Sequence, residues 1–201
     1  MKTKISFYTI GLILIGLGVV LTIKADLGAG AWDALNVGLS ITIGFTVGSW
    51  VIIVGIILIF VNALIQHAKP KFLALMTLFL IGFSVDFWMI FVLRNIEFNT
   101  LGPQILALVG GILLIAFGVS LYLQSTFPAN PIDQLMLSLH ERFHMNLMVA
   151  KTITELFALL LAFLLSGPIG VGTIIITFLI GPIIQLFNGP VSKRFEALSK
   201  K

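Results

Sequence analysis

The chain has 201 residues, of which 59% are hydrophobic and 10% charged, and its mean hydropathy is +1.14. Soluble domains carry roughly a quarter charged residues, so this chain cannot cover itself with a solvated surface, and its length leaves no room for a separate soluble domain beside several membrane spans. The absence of cysteine excludes a disulfide framework, a thiolate metal site and a thiol nucleophile, and the net charge of +4 comes with no basic-aromatic pattern of a nucleic-acid binder.

Met1-Lys2-Thr3-Lys4 leads into an apolar run from Ile5 to Ile23. The run is long for a secretory h-region, and Lys24 and Asp26 crowd the one candidate cleavage site, so it reads as a retained first helix. Apolar runs long enough to span the hydrocarbon, about 20 residues each, lie at 5–24, 46–67, 72–93, 101–124, 147–166 and 171–189. Lipid offers no partner for backbone N–H and C=O groups, so these runs are expected to be helical.

Between the first two spans, Asp26 to Leu39 is too polar and Gly-rich to span, yet too apolar for a free loop. A short interfacial or re-entrant helix near 26–42 is predicted. Ser125 to Leu139 has the same character, with Pro131 suited to a first helical turn, which predicts a second short helix near 131–144.

A shift of 100 residues places Ile5 on Ile105, Gly11 on Gly111, Leu14 on Leu114, Ile15 on Ile115, Gly18 on Gly118, Val19 on Val119 and Leu21 on Leu121. Ala29, Asp33, Leu35 and Leu39 match their counterparts as well. Phe79-Leu80-Ile81-Gly82 answers Phe178-Leu179-Ile180-Gly181 at an offset one residue shorter, while the second spans match poorly. The predicted fold is therefore all-α and polytopic: six transmembrane helices as two three-helix repeats, 1–94 and 101–189, followed by a basic cytoplasmic tail at 190–201. An odd number of crossings inverts the second repeat relative to the first.

Charge gives an independent reading of the same topology. Lys2, Lys4, Lys69, Lys71, Arg142, Lys151, Lys193, Arg194, Lys200 and Lys201 fall on or near the side that holds both termini, whereas Lys24 and Arg94 lie opposite. The positive-inside rule then predicts cytoplasmic termini in a bacterial inner membrane.

Ionisable groups inside spans are costly and point to function. Asp86 lies well inside the third span, and its counterpart at the shorter offset is Gln185. Asp33 and Asp133 form a second repeated pair, and Lys151 and Glu155 stand one turn apart in the fifth span. Two polar clusters are expected: an outer one of Asp26, Trp32, Asp33 and Asp86, and an inner one of Asp133, Lys151, Glu155 and Gln185. The blander reading makes Asp33 and Asp133 helix caps and Lys151 with Glu155 a self-neutralising pair.

Glycines at 11, 16, 18, 110, 111 and 118 fit close helix packing, whereas Gly28 and Gly30 fit a loop that turns back and needs permissive backbone angles. His140-Glu141-Arg142-Phe143-His144 formally matches H-E-x-x-H, a zinc-binding spacing. Arg142 sits beside the would-be metal and no third ligand is evident, so His140 and His144 read as a solvated helix end. No phosphate loop, nucleophile elbow or dinucleotide fingerprint occurs, and neither an enzyme nor a cofactor is expected.

The run Ala25-Asp26-Leu27-Gly28-Ala29-Gly30-Ala31-Trp32-Asp33-Ala34-Leu35, with Gly167-Pro168-Ile169-Gly170-Val171-Gly172-Thr173 and Gly181-Pro182, resembles the bacterial YczE-like membrane proteins, often grouped with YyaS and YitT. Ala129-Asn130-Pro131-Ile132-Asp133 resembles that family's echo of the first loop. The resemblance implies a bacterial inner-membrane protein whose backbone loops include Gly28, Gly30, Gly170, Gly172 and Thr173, and it brings no established substrate. The functional expectation is a small-molecule transporter or permease, with its polar site at the repeat interface. A substrate-binding subunit of an energy-coupled importer and a non-transporting scaffold or regulator are the alternatives. The expected partners are the lipid bilayer and a small-molecule substrate, with a second copy of the chain or a partner membrane subunit left open.

Overall fold

The computed structural model describes residues 1–199, and over these the chain is helical throughout with short connections. The elements are α1 (Lys2–Lys24), α2 (Ala31–Ile43), α3 (Val47–Gln66), α4 (Ala74–Asp86), a π-helical segment (Phe87–Val92), α5 (Leu101–Gln124), α6 (Pro131–Phe143), α7 (Leu147–Leu164) and α8 (Val171–Ser199). Six of these helices are long and apolar enough to cross a bilayer: α1, α3, α4 with its π-helical extension, α5, α7 and α8. Thirteen residues give α2 and α6 about 20 Å each at 1.5 Å per residue, short of the roughly 30 Å hydrocarbon layer. They are short helices at the two positions the sequence predicts.

Side-chain caps fix several helix starts. Thr46 accepts the N–H of Ser49 before α3, Asn130 that of Ile132 before α6, and Asn146 that of Met148 before α7. Such caps satisfy N–H groups that no carbonyl in the first turn can reach. Both α2 and α6 begin and end at positions 100 residues apart, and α3 and α7 begin at that same spacing. The 100-residue spacing thus holds at the starts of the second spans, where sequence identity is poor, because the capping positions Thr46 and Asn146 recur while the apolar residues around them drift.

At the centre, α1 and α5 cross on their glycines. A Cβ on Gly11 would come within 2.7 Å of the Gly118 carbonyl oxygen, and one on Gly18 would stand equally close to that of Gly111. With no side chain in the way the two backbones touch, which is how small residues drive helix association in lipid. Around this pair, α4 packs on α1, α3 on α4, the short helices α2 and α6 on α3, and α7 on both short helices. On the other flank α8 packs on α5 and α1. Among the described residues α7 and α8 do not pack as a pair, although only residues 165–170 join them.

The expected tail at 190–201 requires correction. Helix α8 runs on through Pro182 and Pro190 to Ser199, so residues 190–199 continue the last helix instead of forming a separate tail; 200 and 201 lie outside the described residues. A proline inside a helix removes one backbone hydrogen bond and tolerates bending there.

Candidate functional site

The predicted site residues divide between two environments, and the two-cluster grouping needs revision. Asp33 and Asp133 lie in the first turns of α2 and α6, and α7 brings Glu155 and Lys151 to both. The Glu155 carboxylate is close enough to raise the proton affinity of Asp33, and the Lys151 ammonium close enough to lower that of Asp133. The Tyr122 hydroxyl donates to Asp133 Oδ2 at 3.0 Å. One polar group therefore forms around α7, its charges drawn from α2, α6 and α7 and its hydroxyl from α5.

Burial dominates both aspartates. It pushes the Asp33 carboxyl up to about 7, with Glu155 adding to the rise. It also raises Asp133, against the stabilising Tyr122 hydrogen bond and Lys151. Yet the surface of Asp133 is largely uncovered, while Glu155 and Lys151 are half-buried. Helix α7, which carries Lys151 and Glu155, is not packed against α8, which lies on α5, where Ser120 Oγ donates to the Ile184 carbonyl at 3.1 Å.

Gln185 follows Ile184 on α8 and is exposed. Its repeat counterpart Asp86 is not in this group. Asp86 Oδ1 accepts the Gly48 N–H at 2.8 Å and Oδ2 accepts the Thr46 hydroxyl at 2.5 Å. The carboxylate thus caps the start of α3 from a neighbouring helix, and the chain widens into its π-helical segment immediately afterwards. These partners lie 38 and 40 residues away in the chain.

The rest of the expected outer cluster also disperses. Asp26 is exposed in a left-handed turn at φ 55. Trp32 is 6% exposed and lines an apolar cavity of about 560 Å³ between α3 and α7, floored by Leu35 and Leu135 of the two short helices. Its indole Nε1 has no partner.

The loop glycines act as a clasp. Gly28 has φ +102, and a Cβ there would come within 2.6 Å of Thr173 Oγ1. Ala29 N–H donates to the Pro168 carbonyl at 2.9 Å, Gly172 N–H to that of Leu27 at 2.6 Å, and Gly170 N–H to Thr173 Oγ1 at 3.1 Å. The first two bonds stitch the loop before α2 to the start of α8 and the loop before it, and the third braces that loop from within. Gly30 differs from expectation. Its φ of −57 is open to any residue, and it serves as the N-cap of α2, with Asp33 Oδ2 3.1 Å from where its Cβ would stand.

At the opposite end of the helices His140 Nδ1 meets the Met145 carbonyl at 2.6 Å, Glu141 accepts from Gln66 at 3.0 Å, and His144 is the left-handed C-cap of α6. With His144 off the helix, the two histidines do not share a helical face. Among the described residues no three His, Asp or Glu side chains gather as a metal site.

Sequence reading missed the two tyrosines. Tyr122 holds Asp133, and Tyr8 shares a 2.6 Å hydrogen bond with Thr77, whose hydroxyl reaches the Pro128 carbonyl in the loop before α6. The available signal is that the chain has only two tyrosines, both inside apolar spans, where a buried hydroxyl needs a partner.

Residues 2–189 match a protein family described as a family of unknown function, DUF6198. The chain belongs to this family. It is similar to the uncharacterised protein YyaS of Bacillus subtilis, 35% identical over 198 residues that cover 98% of each chain. It is also similar to the uncharacterised membrane protein YczE of the same organism, 36% identical over 96% of this chain and 93% of the relative. An uncharacterised protein of Haemophilus influenzae is 31% identical over 94% of this chain and 85% of its own. No solved structure matches. In this DUF6198 chain the matched region takes in both short helices, five of the long apolar ones, α8 as far as residue 189, and every charged residue of the α7 group.

Proposed function

We propose that this protein is a small-molecule secondary transporter of the bacterial inner membrane. Its two halves are inversely related, and its polar site is the group Asp33, Asp133, Glu155, Lys151 and Tyr122. The observation that carries this reading is that two short helices, each with an aspartate in its first turn, bring those aspartates to the charged stretch of α7, a helix that does not pack against α8. Charged groups inside a membrane protein are expensive and are retained where they face a pathway or a ligand, and short helices meeting at a repeat interface are a recurrent way to build such a site. Reciprocal contacts of Gly11 with Gly118 and of Gly18 with Gly111 support a two-fold relation between the halves. The excess of Lys and Arg at the end that holds Lys2, Lys69 and Arg142 supports placing that end in the cytoplasm.

No reaction and no cofactor is assigned to the chain. The test is metabolite uptake and efflux profiling in a deletion strain complemented by wild type, Asp133→Asn or Glu155→Gln. Wild type restores at least one altered pool and the two variants do not. If deletion changes no pool, the transporter reading is lost.

A further inference from the structure

The two halves of the chain hold equivalent helix pairs in opposite states. In the first half α3 and α4 are shut against each other. A Cβ on Gly82 would come within 2.7 Å of the Gly48 carbonyl oxygen, Gly55 lies against Leu78, and Asp86 caps the start of α3 through Gly48 N–H and Thr46. In the second half α7 and α8 are apart. Gly181, the counterpart of Gly82, has nothing within 4 Å of where a Cβ would stand. Gln185, the counterpart of Asp86, is exposed. Asn146, the counterpart of Thr46, caps only its own helix through Met148 N–H at 2.9 Å. Met148, the counterpart of Gly48, is 76% exposed.

From these paired positions we infer that α7 and α8 form a gate seen here in its open state. It closes when α8 swings so that Gln185 caps the start of α7 and Met148 seats over Gly181, while the Asp86 clasp between α3 and α4 releases. This inference rests on the transporter reading for its purpose, since it supplies the alternation of access to the charged group. Its geometry stands on the chain alone. A hinge is present where the motion needs one: Pro182 precedes Gln185 by less than one turn and leaves a backbone carbonyl of α8 without its helical donor. The closed form differs from the α3–α4 pair in one respect. Glu155 stands where the first half has Gly55, so the helices meet around a carboxylate instead of touching, and the polar site stays between them.

A chain without cysteine permits a direct test in native membranes. The double variant Met148→Cys/Gly181→Cys, treated with a short bifunctional thiol reagent, reports closure as an intramolecular cross-link. Asp86→Ala removes the competing clasp, and a cap of this kind is worth about 1–2 kcal/mol, a factor of about 5–30 in a two-state ratio. The cross-linked fraction therefore rises several-fold in Asp86→Ala, and it also rises in Gln185→Glu, whose carboxylate is a better partner for a helix start. Gln185→Glu leaves the α3–α4 clasp intact, so the test survives if Asp86→Ala fails to fold. A cross-link that is absent, unchanged by both variants in folded protein, or formed between two chains overturns the gate. If the cross-link responds as stated and no metabolite pool depends on the protein, the gate stands and the transport reading falls; if pools depend on it and the pair never cross-links, the reverse holds.

Discussion

Gly11 of α1 lies against Gly118 of α5, and a Cβ on either would come within 2.7 Å or less of the other's carbonyl oxygen. Backbone cannot yield as a flexible side chain does, so Gly11→Ala or Gly118→Ala must spread the two central helices. Overpacking of this kind costs about 1–3 kcal/mol. Gly110 is the control, because nothing lies within 4 Å of its Cβ position, and Gly110→Ala gains roughly 1 kcal/mol of helix propensity. Thermal unfolding in detergent is expected to rank Gly110→Ala at or above wild type and the two crossing variants below it. Equal melting of all three variants would remove the central role of this contact.

Asp86 makes a different prediction from that of a lone intramembrane acid. As a cap of α3, it contributes through acceptor oxygens, so Asp86→Asn keeps one oxygen and loses less stability than Asp86→Ala, which forfeits about 1–2 kcal/mol. The order wild type, Asn, Ala in melting temperature supports the cap. If Asn and Ala are equally destabilised, the carboxylate acts through its charge instead.

The contrast between Asp86 and Asp133 marks where sequence ceases to be legible. Helix positions, the short helices and the 100-residue spacing follow from hydropathy and repetition, which are properties of contiguous segments. Asp133 can be placed beside Lys151 and Glu155 because all three lie on consecutive elements joined by a tight turn. Asp86 meets Thr46 and Gly48 through the angle at which α4 crosses α3, and that angle is set by Gly48, Gly55 and Gly82, whose role in the crossing shows only in three dimensions. Trp32 departs from Asp33 for a related reason. Adjacent residues on a helix point about 100° apart, so Asp33 faces the charged group while Trp32 faces the apolar cavity.

The clasp between the loops before α2 and α8 predicts unequal tolerance at its two first-loop glycines. Gly28 combines φ +102 with a Cβ position against Thr173, so Gly28→Ala carries both backbone strain, of order 1–3 kcal/mol, and a collision. Gly30→Ala keeps an ordinary φ and stands 3.1 Å from a carboxylate oxygen that a rotamer change can move. Expression and monodispersity after extraction are expected to fail or fall sharply for Gly28→Ala and to persist for Gly30→Ala. The opposite ranking would mean that the loops are not held by this contact.

Asp33 predicts how stability depends on pH. The folded protein holds its carboxyl at about 7, raised first by burial and then by Glu155, whereas an unfolded aspartate titrates near 4. The native state therefore binds the proton more tightly, and this contribution is fully present below about pH 4 and is lost as pH rises to about 7. One group changes stability by at most about 1.4 kcal/mol per pH unit across that window. Asp133 is raised as well and adds a slope of the same sign. Asp33→Asn removes the Asp33 slope, so its melting temperature gains on wild type between pH 5 and 7 and the difference levels off above. Glu155→Gln takes away one cause of the rise, which moves the Asp33 window to lower pH. Tyr122→Phe acts in the other direction on Asp133: without the hydroxyl that stabilises the carboxylate, the protonated form persists to higher pH. Melting curves of the three variants at pH 5, 6, 7 and 8 read these shifts, and parallel curves for wild type and Asp33→Asn would show that Asp33 does not titrate in the folded protein.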